Sequence, residues 1–353
     1  MRKCHARFHA VALVHASKGS QMKARSPILL VGICLIVIFA TLSIGSLCLG
    51  FSDVSCGDIF LSLFGLSDNQ TANLLVWEIR LPRLFAGILT GASLALAGAG
   101  MQSLFRNPLA DPSITGVSSG SALGAVLAIT FFSSIFALEI FALIFGVASA
   151  ILVCLIGRID SRVSALSTLL GGIAVNAFCG AIVGFFMYTV RDAGMRGFVF
   201  WSLGSLDRCG WSEIVFSYAI SVPAWIYIFM SARKMNVLLL GEENAYHCGV
   251  DVERVRIGVI GASAVMTASC VSICGVIGFV GLVVPHILRM IIGPDNTKLL
   301  PLSALGGAVL VIFADVVART FSHTDPIPIG VVTALIGAPF FAMLLRRKGG
   351  GNA

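Results

Sequence analysis

Residues 27–49, "PILLVGICLIVIFATLSIGSLCL", run for 23 residues without one charged side chain. A helix rises 1.5 Å per residue, so about 20 residues cross a hydrocarbon layer of about 30 Å. Runs of this kind recur along the whole chain, and in such a layer the backbone polar groups must be satisfied within each segment, which selects helices. The chain is 57% hydrophobic and only 12% charged over 353 residues, about half the charge of a soluble domain. The fold class expected is all-α, a polytopic membrane protein.

Runs of about 20 residues with few charges, with shorter buried ones allowed, give ten spans. They lie near 27–49, 82–104, 114–132, 135–157, 165–189, 212–231, 255–274, 276–292, 299–321 and 327–346. The seventh and eighth are divided only by "CGVIGFVG" (274–281), so one of them reads as a broken helix buried in protein. The first run exceeds a signal-peptide core and no A-x-A site follows it, so it reads as a retained helix. Residues 1–25 are expected to be a cytoplasmic tail, 26–348 one membrane domain and 349–353 a second tail. His5, His9 and His15 in the first tail are not read as a metal site, because "MKARSPILLVG" from Met22 is a complete basic-then-apolar opening, which leaves Met1 and Met22 as alternative starts.

Ten spans place both termini on one side, and the basic residues choose it. With the N-terminus cytoplasmic, eighteen of the 24 Lys and Arg lie inside, against Arg80, Arg83, Arg191, Arg196, Arg208 and Arg319 outside. That bias follows the positive-inside rule and explains the net charge of +7 without nucleic acid. Of ten cysteines, Cys34, Cys48, Cys154, Cys179, Cys270 and Cys274 fall in apolar runs as small hydrophobes. Cys56 and Cys209 fall in outer loops, and a bond between them is left open.

One polar island stands out: "LLLGEENAYHCGVDVERVR" (238–256). Gly241 and Gly249 read as helix stops, giving one or two short surface helices. The connection is longer than two spans need and carries both signs of charge, which suits docking of a partner protein better than an ordinary solvated loop. In "VWEIRLPRLFAGILTG" (76–91), Arg80 and Arg83 sit at the outer mouth of the second span, either snorkelling to the interface or meeting a partner's carboxylates. In "FADVVARTF" (313–321), Asp315 and Arg319 are spaced i,i+4 and can pair. Glycines recur at four-residue intervals in 87–100, 116–124 and 171–184 and predict close helix packing.

"GVSSG" (116–120) satisfies G-x-S-x-G, and His286 lies on another span, so a membrane serine hydrolase is one alternative. The motif needs a strand-to-helix elbow, whereas here it opens an apolar helix. An ion-coupled transporter is another, and it should bury carboxylates at mid-depth. Apart from Asp315 and Glu139, both near an outer end, none is evident. His286 and His323 read as a polar cap and a loop residue, and no metal site or cofactor is expected. No P-loop, H-E-x-x-H or C-x-x-C appears. A weak echo relates 87–124 to 261–321, each a small-residue helix, a break ("RNPLADP", "PHILRMIIGPD") and a further span, as in repeat-built transporters.

With "RLPRLFAGILTGASLALAGAGMQSLFRNPLADP" (80–112), "GVSSGSALGAV" (116–126), "GVIGFVGLVVPHILR" (275–289) and "PIGVVTALIGAPFF" (328–341), the chain resembles the FecCD-type permeases of binding-protein-dependent ABC importers for iron chelates, haem and cobalamin. The resemblance implies the type II importer architecture, a ten-helix subunit in a bacterial cytoplasmic membrane that forms a homodimer around a central path. Two ATP-binding subunits sit beneath, an extracytoplasmic substrate-binding protein caps the dimer, membrane lipid surrounds it, and the permease is not an enzyme. The coupling loop maps onto Leu240, Gly241, Glu242, Glu243, Ala245, Gly249, Val250, Glu253 and Arg254. The outer arginines that clamp the binding protein map onto Arg80, Arg83 and Arg319. A path lined by the fifth and tenth spans would have its cytoplasmic gate at "RIDSRVSALSTLLGG" (158–172), where Ser164, Ala165, Leu166 and Ser167 occupy the position. The implied cargo is an iron chelate, haem or a ferric siderophore, with cobalamin as the alternative.

Overall fold

The computed structural model describes residues 27–50, 54–132, 134–159, 162–163, 165–190, 192–321 and 327–349. His5, His9, His15, Met22, Ser164 and His323 lie outside the described residues. The fold is helical. Helix α1 is Pro27–Cys48, α2 Cys56–Leu63 and α3 Gln70–Leu74, which runs through a π turn, Leu75–Arg80, into α4, Leu81–Leu104. A 3-10 turn, Pro112–Thr115, precedes α5 (Val117–Phe131) and α6 (Ile135–Ile156). A two-residue hairpin, β1 (Arg158–Ile159) with β2 (Arg162–Val163), joins α6 to α7 (Ala165–Thr189). Then come α8 (Asp192–Ser202), α9 (Trp211–Leu239), α10 (Glu242–His247), α11 (Val252–Cys274), α12 (Val280–Ile292), α13 (Asn296–Thr320) and α14 (Ile329–Gly349).

Seven of these helices are long and apolar enough to cross a membrane by length and composition, the second of them running unbroken from Gln70 to Leu104. Three shorter apolar helices, α5, α12 and the apolar part of α14, coincide with three further expected spans. The second span begins earlier than its apolar pattern indicated. Pro82 has no N–H to donate to residue 78, and the π turn just before it, in which Leu81 N–H reaches Val76 O, carries the helix through that gap.

Packing follows the glycines. An ideal Cβ on Gly91 would lie 2.3 Å from Gly307 O, and one on Gly98 would lie 1.9 Å from Gly281 O. Helix α4 therefore touches α13 and α12 backbone to backbone, which no larger residue permits. The α4 window is 89% buried and the α11 window 78%, whereas that of α1 is wholly unburied and that of α7 only 22% buried. So α4 and α11 form the centre, and α1 and α7 the periphery.

The chain leaves helical geometry twice inside the bundle, at 105–116 and at 275–279. The second break is the one anticipated at "CGVIGFVG", and α12 begins only at Val280. Cys209 does not approach Cys56. It is buried, with its Sγ 3.7 Å from that of Cys274, because the segment before α9 folds down onto the end of α11, where Ser205 N–H meets Cys274 O.

Candidate coupling and docking sites

At one end of the bundle, 240–256 folds as a short helix hung between two stops. Gly241 and Gly249 adopt φ of +113° and +74°, values that favour glycine. After α10 the amides of Cys248, Gly249 and Val250 return to the carbonyls of Asn244, Tyr246 and Ala245, closing the helix end. Asn244 Nδ2 caps α9 by donating to Leu240 O at 2.8 Å, and the Asp251 side chain caps α11 by accepting from Arg254 N–H at 3.1 Å. Ala245 is buried and anchors the unit, while Leu240 and Tyr246 are 68% and 77% exposed.

The charges in this hairpin divide into two sets. Arg256 is buried, and its guanidinium pairs with Glu242 and, at 3.6 Å, with Glu253. Arg254 pairs with Asp251 at 2.9 Å in the open. Glu243 carries no ion pair among the described residues. A cleft of about 1030 Å³ lies here, lined by Glu242, Glu243, Tyr246, Asp251, Glu253 and Arg256. The hairpin thus offers an exposed apolar pair, a carboxylate outside the ion pairs among the described residues and an acidic cleft, on a base anchored by buried Ala245, which suits docking of a protein element.

At the opposite end, Arg80, Arg83 and Arg319 come together as the sequence placed them, but they turn inward. Arg80 is 4% and Arg83 8% exposed. Arg83 Nε donates to Asp315 Oδ1 at 2.6 Å and its Nη1 donates to Asp207. Arg319 Nη2 reaches the other oxygen of Asp315 at 2.9 Å, the i,i+4 pair expected. Arg319 also donates to Ser46 O and Leu49 O, each at 3.3 Å, and Arg80 to Leu47 O and Cys48 O. The carbonyls of Ser46, Leu47 and Cys48 belong to the last turn of α1, the negative end of its dipole, and Leu49 follows it directly. Snorkelling does not describe these side chains, because carboxylates and carbonyls of the same chain draw them inward. Asp207, on the segment before α9, gave no signal in the sequence beyond its place beside Arg208.

Of the gate positions, Leu166 is 66% exposed on α7 and Ser167 is partly exposed, and the backbone of Ala165 starts that helix. The G-x-S-x-G serines do not form a nucleophile elbow. The element before α5 is a 3-10 turn rather than a strand, so Ser118, the serine of the motif, stands on no strand-to-helix elbow, and its neighbour Ser119 donates to Gly116 O at 3.0 Å and to Asn176. His286 is buried within α12 rather than capping a surface. Among the described residues no cluster of three His, Cys, Asp or Glu side chains is arranged to hold a metal.

Comparison with known proteins identifies the family. The hemin transport system permease protein HmuU of Yersinia pestis is 38% identical over 320 residues, 89% of this chain and 94% of the relative. The cobalamin import system permease protein BtuC of Halobacterium salinarum is 43% identical over 280 residues, 79% of this chain and 75% of the relative. The vitamin B12 import system permease protein BtuC of Vibrio cholerae is 40% identical, covering 83% and 88%. A solved ABC transporter in an inward-facing conformation, assigned to the metal-chelate type by inference, superposes with a TM-score of 0.80 at 33% identity, covering 89% of this chain and 98% of that one. The model of the FecCD transport family matches residues 34–347, and the chain belongs to that family.

Proposed function

We propose that this chain is the permease subunit of a binding-protein-dependent ABC importer that carries an iron chelate, haem or a ferric siderophore, across the bacterial cytoplasmic membrane. The observation that carries the reading is the family match over nearly the whole chain together with the mixed-charge hairpin 240–256. The hairpin enters a cleft of a separate ATP-binding subunit through Leu240, Glu243 and Tyr246, and ATP-driven closure of two such subunits moves it. The permease itself makes and breaks no bond. The basic-residue bias supports cytoplasmic termini and, with them, a hairpin on the cytoplasmic side.

Two copies enclose the path. Exposed apolar residues on α7 (Leu166, Leu170, Ile173) and α14 (Leu335, Met343) support these helices as the faces that meet a second copy, the cargo or lipid. Binding-protein docking by Arg80, Arg83 and Arg319 proceeds by exchange. The Asp207 side chain is 39% exposed and that of Asp315 only 3%, so an incoming carboxylate displaces Asp207 from Arg83 while Asp315 stays.

Cobalamin is the second cargo reading, favoured by relatives of 40% and 43% identity that are cobalamin permeases. Competition separates the two: uptake by the assembled importer with its own binding protein is measured with labelled haem, a ferric siderophore and cobalamin. Saturable haem or siderophore uptake supports the first reading. Saturable uptake of cobalamin alone replaces it with the second.

A further inference from the structure

The segment before α9 presses against the end of α11 backbone to backbone, and this brings two thiols together. Ser205 N–H donates to Cys274 O at 2.8 Å, and Ile329 N–H donates to Gly204 O at 2.9 Å. The approach is this close because Gly275 follows Cys274. An ideal Cβ on Gly275 would lie 2.0 Å from Trp201 O, so a side chain there would push the segment away. With the backbone seated in this way, Cys209 Sγ stands 3.7 Å from Cys274 Sγ and 3.7 Å from Ile273 O. The two cysteines lie 65 residues apart in the chain, so no local pattern joins them, and this contact stands where a bond from Cys209 to Cys56 was left open.

Thiols at this separation are unbonded, since the sulfurs of a disulfide lie about 2 Å apart. Side-chain rotation between staggered positions is the motion that closes the gap. Cys274 lines a chamber of about 430 Å³, with Phe200, Asp207, Arg208, Ile273 and Pro328 among its walls. Phe200 is 59% exposed and the Asp207 side chain 39%, so the chamber opens at the end of the bundle where Asp207 meets Arg83. That end is the outer one under the basic-residue bias, and disulfides form and persist in oxidising compartments outside the cytoplasm. The thiolate is the attacking form of cysteine. Thr90 Oγ1 lies 3.2 Å from Cys274 Sγ, within reach to donate a hydrogen bond to that form.

We propose that Cys209 and Cys274 form a redox-active pair, oxidised by a low-molecular-weight disulfide that enters this chamber. Cys274 as thiolate attacks one sulfur of the reagent, a mixed disulfide forms, and the first reagent thiolate leaves and takes up the Cys274 proton. Cys209 as thiolate then attacks the Cys274 sulfur, and the second reagent thiolate leaves and takes up the Cys209 proton. Two thiols have become one disulfide, and the reagent disulfide has become two thiols. The new bond fastens the segment carrying Asp207 to α11 and closes a loop spanning 65 residues in the unfolded chain. The test uses the reduced full-length permease in lipid nanodiscs, treated with hydroxyethyl disulfide or left untreated, then unfolded in detergent, alkylated with N-ethylmaleimide and digested. Mass spectrometry should find the Cys209 peptide joined to the Cys274 peptide in the treated sample alone, and the treated protein should unfold about 4–8 °C higher. Cys56→Ser should keep the link. Cys209→Ser and Cys209→Ala should lose both the link and the rise while sharing the midpoint of reduced wild type, which shows that they fold. Both thiols alkylated after treatment, a mixed disulfide that Cys209 leaves unresolved, Cys209 joined to Cys56 instead, or a link without a rise in midpoint would overturn the proposal. The readout uses neither ATP nor cargo nor orientation in the membrane, so its failure leaves the importer reading standing, and failure of that reading leaves the thiol pair standing.

Discussion

Replacing Asp315 with Ala tests the buried charge cluster. Asp315 is 2% exposed and accepts from Arg83 at 2.6 Å and from Arg319 at 2.9 Å. Among the described residues, removing it leaves Arg83 with the half-exposed Asp207 as its ion-pair partner, and Arg319 with the carbonyls and hydroxyl at the end of α1. Breaking a buried pair by deleting one partner costs about 3–5 kcal/mol, because the remaining charge stays desolvated. Both guanidiniums keep some partners, so the lower figure of about 3 kcal/mol applies. At about 2 °C per kcal/mol for a chain of this size, the unfolding midpoint of the purified permease should fall by about 6 °C. A variant with Arg83→Met, Asp315→Leu and Arg319→Met should recover most of that loss, since apolar replacement of a whole buried ion network is close to neutral. A fall of less than about 2 °C for Asp315→Ala, or a triple variant less stable than the single one, would refute the reasoning.

Three further outcomes follow from the same geometry. Glu243→Lys should leave the permease folded while lowering co-purification with its ATPase, whereas Glu242→Lys should also destabilise the chain, because it sets a second cation against buried Arg256; equal midpoints for the two variants would contradict the ion pairing. Gly98→Val should separate α4 from α12 and reduce the monodisperse fraction on size-exclusion chromatography, at a cost of about 3 kcal/mol or more; a normal profile would show that the backbones are not in contact. At Asp295 burial would raise the carboxyl pKa, but hydrogen bonds from Thr297, Asn236 and Lys298 outweigh burial and hold it below the ordinary carboxylate range. A group with a lowered folded pKa stabilises above its unfolded value of about 4 and loses that contribution as pH falls. Asp295→Asn should therefore be less stable than wild type at pH 7, with the gap closing in acid.

The expected spans were legible because apolar run length and helix rise are both set by membrane thickness; all ten fall on helices, seven of which are long and apolar enough to cross a membrane while three are shorter. The stops at Gly241 and Gly249 were legible because positive φ selects glycine. The partners of the arginines were harder to see. Asp315 and Arg319 share one helix face and can be paired from spacing alone, but Arg83 and Asp207 are 124 residues apart and only the fold brings them together. Cys209 misled, because loop membership says nothing about how deep a loop descends.

The central claim is that movement of this subunit is supplied by a separate ATPase acting on the hairpin 240–256. Its most direct test is cargo accumulation in sealed liposomes containing the permease, with and without its ATP-binding subunit, with binding protein and ATP supplied on the appropriate sides. Accumulation above the external concentration should require both ATP and the ATPase, and should be lost in Glu243→Lys in step with ATPase binding. Accumulation against a gradient by the permease alone would contradict the account.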